Sequence, residues 1–139
     1  MNQASLSPAR MASEDVPRRV LVVEDDPVVR RLLRLRLHRA GLSVSIAACG
    51  EDAIALCKRA PDSFHLLVTD GVMPGMDGFE LARYFIRFAP DTRVILISGF
   101  LHHFISRPDI LENIHAFFEK PFNPDEIIAK VQELLGSAV

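Results

Sequence analysis

Apolar positions in this chain come in two alternating kinds of stretch. Short unbroken runs, Val20-Leu21-Val22-Val23, Leu66-Leu67-Val68 and Val94-Ile95-Leu96-Ile97, leave no polar position on either face. They predict strands buried on both sides, as in a parallel sheet covered by helices. Between them, apolar residues recur at helical spacing among charges. A first helix is expected from Pro27, with Asp26 as its N-cap, through Leu32, Leu33 and Leu37 to a stop at Gly41. Its other positions carry Arg30, Arg31, Arg34, Arg36, His38 and Arg39, which read as a basic outer face. Leu42 to Ile46 alternates and suits a half-exposed edge strand. Glu51 to Ala60 reads as a second helix with Ile54, Ala55 and Leu56 turned to the core, and Pro61 follows it.

Phe64 to Thr69 is expected as the third strand, and Phe79 to Phe88 as a third helix burying Leu81, Phe85, Ile86 and Phe88 before Pro90. Leu101 to His115 should be helical but short or broken at Pro108, which lacks an N–H and clashes with the preceding turn. Ala116-Phe117-Phe118 reads as a fifth strand. Asn123-Pro124-Asp125-Glu126 combines an N-cap, a first-turn proline and a capping-box glutamate, opening a last helix through Leu135 to Gly136. Five strand–helix alternations call for an α/β fold, a parallel sheet with helices on both faces and right-handed crossovers. Residues 1–17 lack apolar periodicity and read as a disordered leader, 18–136 as one domain and 137–139 as a tail.

Composition narrows the function classes without choosing among them. At 139 residues, with 49% hydrophobic and 24% charged residues, the chain has room for one real core. A net charge of -2 and a pI near 6.2 give no electrostatic case for direct nucleic acid binding. No apolar run approaches the roughly 18 residues that span a bilayer, so no membrane insertion and a cytoplasmic location are expected. Cys49 and Cys57 match no metal or disulfide pattern and read as reduced thiols.

Chemistry collects where the expected strands end. Glu24, Asp25 and Asp26 follow the first strand, Asp70 the third, Ser98 the fourth and Lys120 the fifth. Taken alone, an aspartate before glycine more often closes a turn than performs a reaction. Four strand ends on one rim change that weighting, since ligands bind outside the carboxyl ends of such strands. Gathered carboxylates repel one another unless a cation lies among them, and Mg2+ is commonly held by one or two carboxylates plus a phosphate. Asp25 and Asp70 are the expected direct ligands, with Glu24 or Asp26 orienting metal-bound water. Lys120 and Ser98 then suit the oxygens of a transferring phosphoryl group, with Asp70 as nucleophile.

In this order, VLVVEDDP, VTDGVMPGMDG, VILISGF and FFEKPF resemble the receiver domain of two-component response regulators. The resemblance covers about Arg18 to Leu135. It implies a doubly wound, flavodoxin-like (CheY-like) sheet of order 2-1-3-4-5, Mg2+, and a phosphohistidine donor on a histidine kinase or histidine phosphotransfer protein. It also implies Asp70 as phosphoacceptor, Asp25 as metal-binding acid with Glu24 as its companion, and Val72 as a carbonyl ligand. Ser98 takes the switch position and Lys120 the phosphate-binding one, while Asp26 is better read as a helix cap. Family members often pair, so a phosphorylation-linked homodimer is a further expectation.

Three departures stand out: Phe117 where the family often has Tyr, Gly99 where alanine is common, and an unusual segment with Phe100, His102, His103, Phe104 and Pro108. A stand-alone switch is the leading expectation, and it is not an enzyme. A phosphorelay intermediate or a receiver of a hybrid sensor kinase is the alternative. An aspartate-nucleophile phosphatase ranks below both, because such enzymes usually place a second acid two residues after the first, where this chain has Val72. A phosphorylation-independent scaffold is disfavoured by the intact acid, hydroxyl and lysine set.

Overall fold

The computed structural model describes residues 17–59, 64–99 and 107–136. The expected leader, apart from Pro17, and the tail 137–139 lie outside the described residues, as do Phe100, His102, His103 and Phe104. Among the described residues, strands β1 (Arg19–Val23), β2 (Ser43–Ala47), β3 (Leu66–Asp70), β4 (Arg93–Ser98) and β5 (Ala116–Glu119) alternate with five helices. These are α1 (Pro27–Arg39), α2 (Gly50–Arg59), α3 (Gly78–Phe88), α4 (Pro108–Leu111) and α5 (Pro124–Leu135). All pairings are parallel and the strand order is β2-β1-β3-β4-β5, the order the resemblance implies.

Strict alternation along each strand divides the core between two faces. Leu21, Val23, Leu67, Val94 and Leu96 join α2 and α3 residues such as Ala53, Cys57, Phe79 and Phe85 in one cluster. Val20, Val22, Leu66, Val68, Ile95 and Ile97 join Leu33 and Leu37 of α1 and Ile127, Val131 and Leu135 of α5 in the other. Both clusters are buried, and this two-sided burial is why the strands read as unbroken apolar runs.

Caps set the helix starts. Asp26 accepts the Val28 N–H and Asn123 the Asp125 N–H, each ahead of a proline in the first turn. Asp77 caps α3 through a complete capping box with Glu80.

Some sequence expectations are corrected. In α2, Ala55 is exposed; Ala53 and Cys57, four residues apart, carry the buried stripe, and Ile54 and Leu56 pack only partly against it. Phe88 is 57% exposed at the end of α3, where it stacks on Tyr84 at 4.8 Å between ring centroids. The α1 arginines are not uniformly solvated: Arg36 is ion-paired with Asp125 of α5, and Arg30 is half-buried. The fourth helix, by contrast, is short as expected: among the described residues it spans four residues and opens on Pro108, whose missing N–H leaves no bond unmade at the first position.

Candidate functional site

Strand order reverses between β1 and β3, which both pair with a neighbour on the far side, so the crevice of this sheet opens above their carboxyl ends. Val23 is level with Thr69 across that pair. The next residue on each strand therefore faces the other across the crevice: Glu24 and Asp70.

Both are withdrawn from water, Glu24 at 1% and Asp70 at 7% exposure, whereas Asp25 is exposed on the rim. Lys120 reaches in from the end of β5, its Nζ donating to Glu24 Oε1 at 3.1 Å and Asp70 Oδ2 at 3.2 Å. Its backbone N–H donates to the Ser98 carbonyl at 3.0 Å, and the bond to Pro121 is cis. The second oxygens are also engaged: Asp70 Oδ1 accepts the Val72 N–H at 3.3 Å, and Glu24 Oε2 the Asp26 N–H at 3.2 Å. Ser98 is fully buried at the end of β4, against the backbone at Gly71. Thus Glu24, Asp25, Asp70 and Lys120 converge directly, while Val72 and Ser98 border the same loop.

Glycines allow the loop after Asp70 to fold this tightly. The Gly71 N–H donates to the Ile97 carbonyl at 2.7 Å, and its own carbonyl accepts the Gly78 N–H at 2.9 Å. This brings the start of α3 against β3 so closely that a Cβ on Gly78 would lie 1.8 Å from the Asp70 carbonyl oxygen.

Electrostatics marks the acids as an incomplete set. Burial, and then the charge of Asp70, raise Glu24 to about 7, against the lowering effects of the Asp26 N–H and Lys120. For Lys120, burial alone would lower the pKa, but the bond to Glu24 and the charges of Asp70 and Glu24 outweigh it, so the ammonium is held. Glu24, Asp25 and Asp70 each offer an oxygen, all within 4.8 Å of one another. An all-carboxylate oxygen set with one member pushed toward its neutral form fits a hard divalent cation such as Mg2+, which would relieve that repulsion.

The sequence profile of the response regulator receiver domain matches residues 20–132. The chain belongs to the response regulator receiver family. Receiver domains are signalling domains of two-component systems; they interact with histidine kinases or phosphotransfer proteins, and phosphorylation on an aspartate is general to the family.

Among similar proteins, the response regulator receiver protein CpdR of Brucella abortus is 33% identical over 121 residues, 87% of this chain and 99% of CpdR. Sensor kinase CckA of the same organism is 32% identical over 116 residues, which are 84% of this chain but 12% of CckA. The structure of response regulator TrrA from Thermotoga maritima, solved in complex with Mg2+ and BeF, is 32% identical with a TM-score of 0.72. That match covers 84% of this chain and 98% of TrrA.

Two features of this receiver's site escaped the sequence reading. Asp77-Gly78-Phe79-Glu80 carries a capping-box spacing that could have placed the start of α3, and Asp77 also receives Arg107 from ahead of α4 at 3.4 Å. Arg30 donates to the Glu24 carbonyl at 2.8 Å, a bond with no sequence signature because its acceptor is backbone.

Proposed function

We propose that this receiver accepts a phosphoryl group on Asp70 from the phosphohistidine of a histidine kinase or histidine phosphotransfer protein, and thereby switches a surface read by a partner. The observation that carries the reading is the Lys120 ammonium bridging Asp70 and Glu24, with the Asp25 carboxylate close enough to share a cation. Similarity to TrrA, solved with Mg2+ and BeF, supports it.

In the proposed step an Asp70 carboxylate oxygen attacks phosphorus. An O–P bond forms as the N–P bond to the donor imidazole breaks, and the leaving nitrogen keeps the electron pair and takes up a proton. Asp25, Asp70 and the Val72 carbonyl would hold Mg2+, backed by Glu24, and the ion would supply charge neutralisation for the phosphoryl oxygens. Lys120 then exchanges its bond to Asp70 for one to a phosphoryl oxygen, and the Ser98 hydroxyl turns toward another. Phe117, half-buried against the cluster under α2 and α3, repacks as Ser98 moves, biasing a two-state surface. No substrate turnover is proposed beyond the eventual loss of this phosphoryl group. A cytoplasmic place of action and pairing of phosphorylated copies belong to the same reading; sedimentation with and without phosphorylation tests the pairing.

Intact mass after incubation with acetyl phosphate and Mg2+ is the test. One phosphate is expected on the parent, and none on Asp70→Asn or in a metal chelator. Uptake by Asp70→Asn would overturn the assignment. The match to a segment of CckA favours a second reading, a receiver of a hybrid kinase or a relay intermediate. Back-transfer from phosphorylated Asp70 to a histidine phosphotransfer protein separates that relay from a terminal switch.

A further inference from the structure

The site rests on Glu24, and every polar group of Glu24 has a partner. Its carboxylate binds Lys120 and the Asp26 N–H, its own N–H donates to the Ala47 carbonyl at 3.1 Å, and its carbonyl accepts Arg30 Nη1 at 2.8 Å. The last of these ties the β1–α1 loop back to a side chain of α1. Asp25 and Asp26 hang from that loop, and with Glu24 they form three adjacent carboxylates that repel one another. Arg30 stands one turn into the helix that Asp26 caps, so its guanidinium closes a ring of Glu24, Asp25, Asp26 and the start of α1.

We propose that Arg30 is a positioning residue for the acidic cluster: by holding the Glu24 carbonyl it keeps the loop folded so that Glu24 and Asp25 face Asp70 at cation-binding distance. This rests on the receiver reading above but adds a residue that touches neither phosphate nor cation. Groups that orient a ligand from behind are worth about 10- to 100-fold in metal affinity.

The sign of the effect separates positioning from simple charge. Arg30 is a cation, so if it acted only through its field, its removal would strengthen Mg2+ binding. Positioning predicts the opposite. The site also permits a clean substitution. Arg30 lines an open cavity of about 390 Å3 with Ile46, Ala47, Asp52, Leu56 and Arg59, and it stands outside both buried clusters, so shortening it leaves no void in the core.

The experiment is calorimetric titration of Mg2+ into the full chain and into Arg30→Met and Arg30→Lys, with thermal unfolding in a chelator as a folding control. Arg30→Met, which keeps the stem but has no donor, is expected to bind Mg2+ about tenfold or more weakly with its metal-free unfolding near the parent's. Arg30→Lys, able to donate to the same carbonyl, is expected to recover most of that loss. If Arg30→Met does not fold, Arg30→Leu, which also has no donor, replaces it in the comparison. Unchanged or tighter Mg2+ binding in a folded Arg30→Met or Arg30→Leu overturns the proposal and leaves the receiver reading standing. A parent chain that binds no Mg2+ overturns both.

Discussion

Gly78 and Gly99 flank the same site and should respond oppositely to a single methyl group. At Gly78 the added carbon would meet the Asp70 carbonyl oxygen at 1.8 Å and its carbon at 2.7 Å. Both are backbone atoms of a central strand and cannot swing aside. The helix-propensity gain of about 1 kcal/mol for alanine over glycine is therefore swamped by displacement of β3 from α3. Gly78→Ala is expected to lose more than about 3 kcal/mol in urea unfolding, at the diagnostic end of the range for single substitutions. At Gly99 the nearest atom is Lys120 Cβ at 3.7 Å, an ordinary contact, and the backbone is outside the left-handed region. Gly99→Ala should stabilise by about 0.4–1 kcal/mol through the unfolded chain and still take up phosphate from acetyl phosphate. Comparable losses in both variants would contradict this account of the loop.

Asp77 ties the start of α3 to the residue ahead of α4. Its Oδ1 accepts the Glu80 N–H at 2.8 Å, its own N–H donates to Glu80, and Oδ2 receives Arg107, whose guanidinium lies 5.2 Å from the Phe79 ring centroid. Removing the side chain with Asp77→Ala should cost about 1–2 kcal/mol in urea unfolding, the upper range for a cap. Asp77→Asn, which keeps an acceptor for Glu80, should cost clearly less; equal losses would mean the ion pair, not the cap, carries the stability. The box was present in the sequence as Asp77-Gly78-Phe79-Glu80, so this boundary was legible and the reading that began the helix at Phe79 passed over it. The inward face of α2 was harder to read. Ala53, Ile54, Ala55, Leu56 and Cys57 are five consecutive apolar letters, and which of them faces the sheet depends on a helix rotation that periodicity cannot set. Phe88 was misread because a large aromatic at the last turn of a helix can lie past the end of the core it follows. Arg30 was illegible for a different reason: an arginine bound to a backbone carbonyl and an arginine in water are the same letter.

At the scale of the whole molecule, the sheet and the placing of the acids were legible because doubly buried strands leave unbroken apolar runs, and the polar residue ending each run falls on one rim. The opposite rim carried no such signal, yet it shapes the pH response. There, the Arg19 N–H donates to His65 Nδ1 at 2.9 Å and the Val94 N–H to His115 Nδ1 at 3.0 Å. A ring nitrogen that accepts must be unprotonated, so ionisation breaks either bond. Burial, and then Arg18 and Arg19, lower the pKa of His65; burial, and then Arg93, lower that of His115. Lowered folded values mean the unfolded chain takes up protons first. Their contribution is complete above the ordinary value of 6.5 and is lost as pH falls from there through the folded values. Glu24 runs the other way. Raised from 4.5 to about 7, it contributes fully below 4.5 and loses that contribution as pH rises through 7. The metal-free chain therefore has one limb falling toward acid and another toward base. Mg2+ binding to the ionised cluster should remove only the second. Thermal unfolding with a chelator and with millimolar Mg2+ should give curves that converge near pH 5 and separate progressively to pH 7 and above, the Mg2+ curve higher. His65→Asn with His115→Asn, each retaining an acceptor that does not titrate, should flatten the acid limb in both conditions and leave the separation at neutral pH unchanged. A Mg2+ effect of constant size from pH 5 to 8 would mean that Glu24 does not set the proton count of the site.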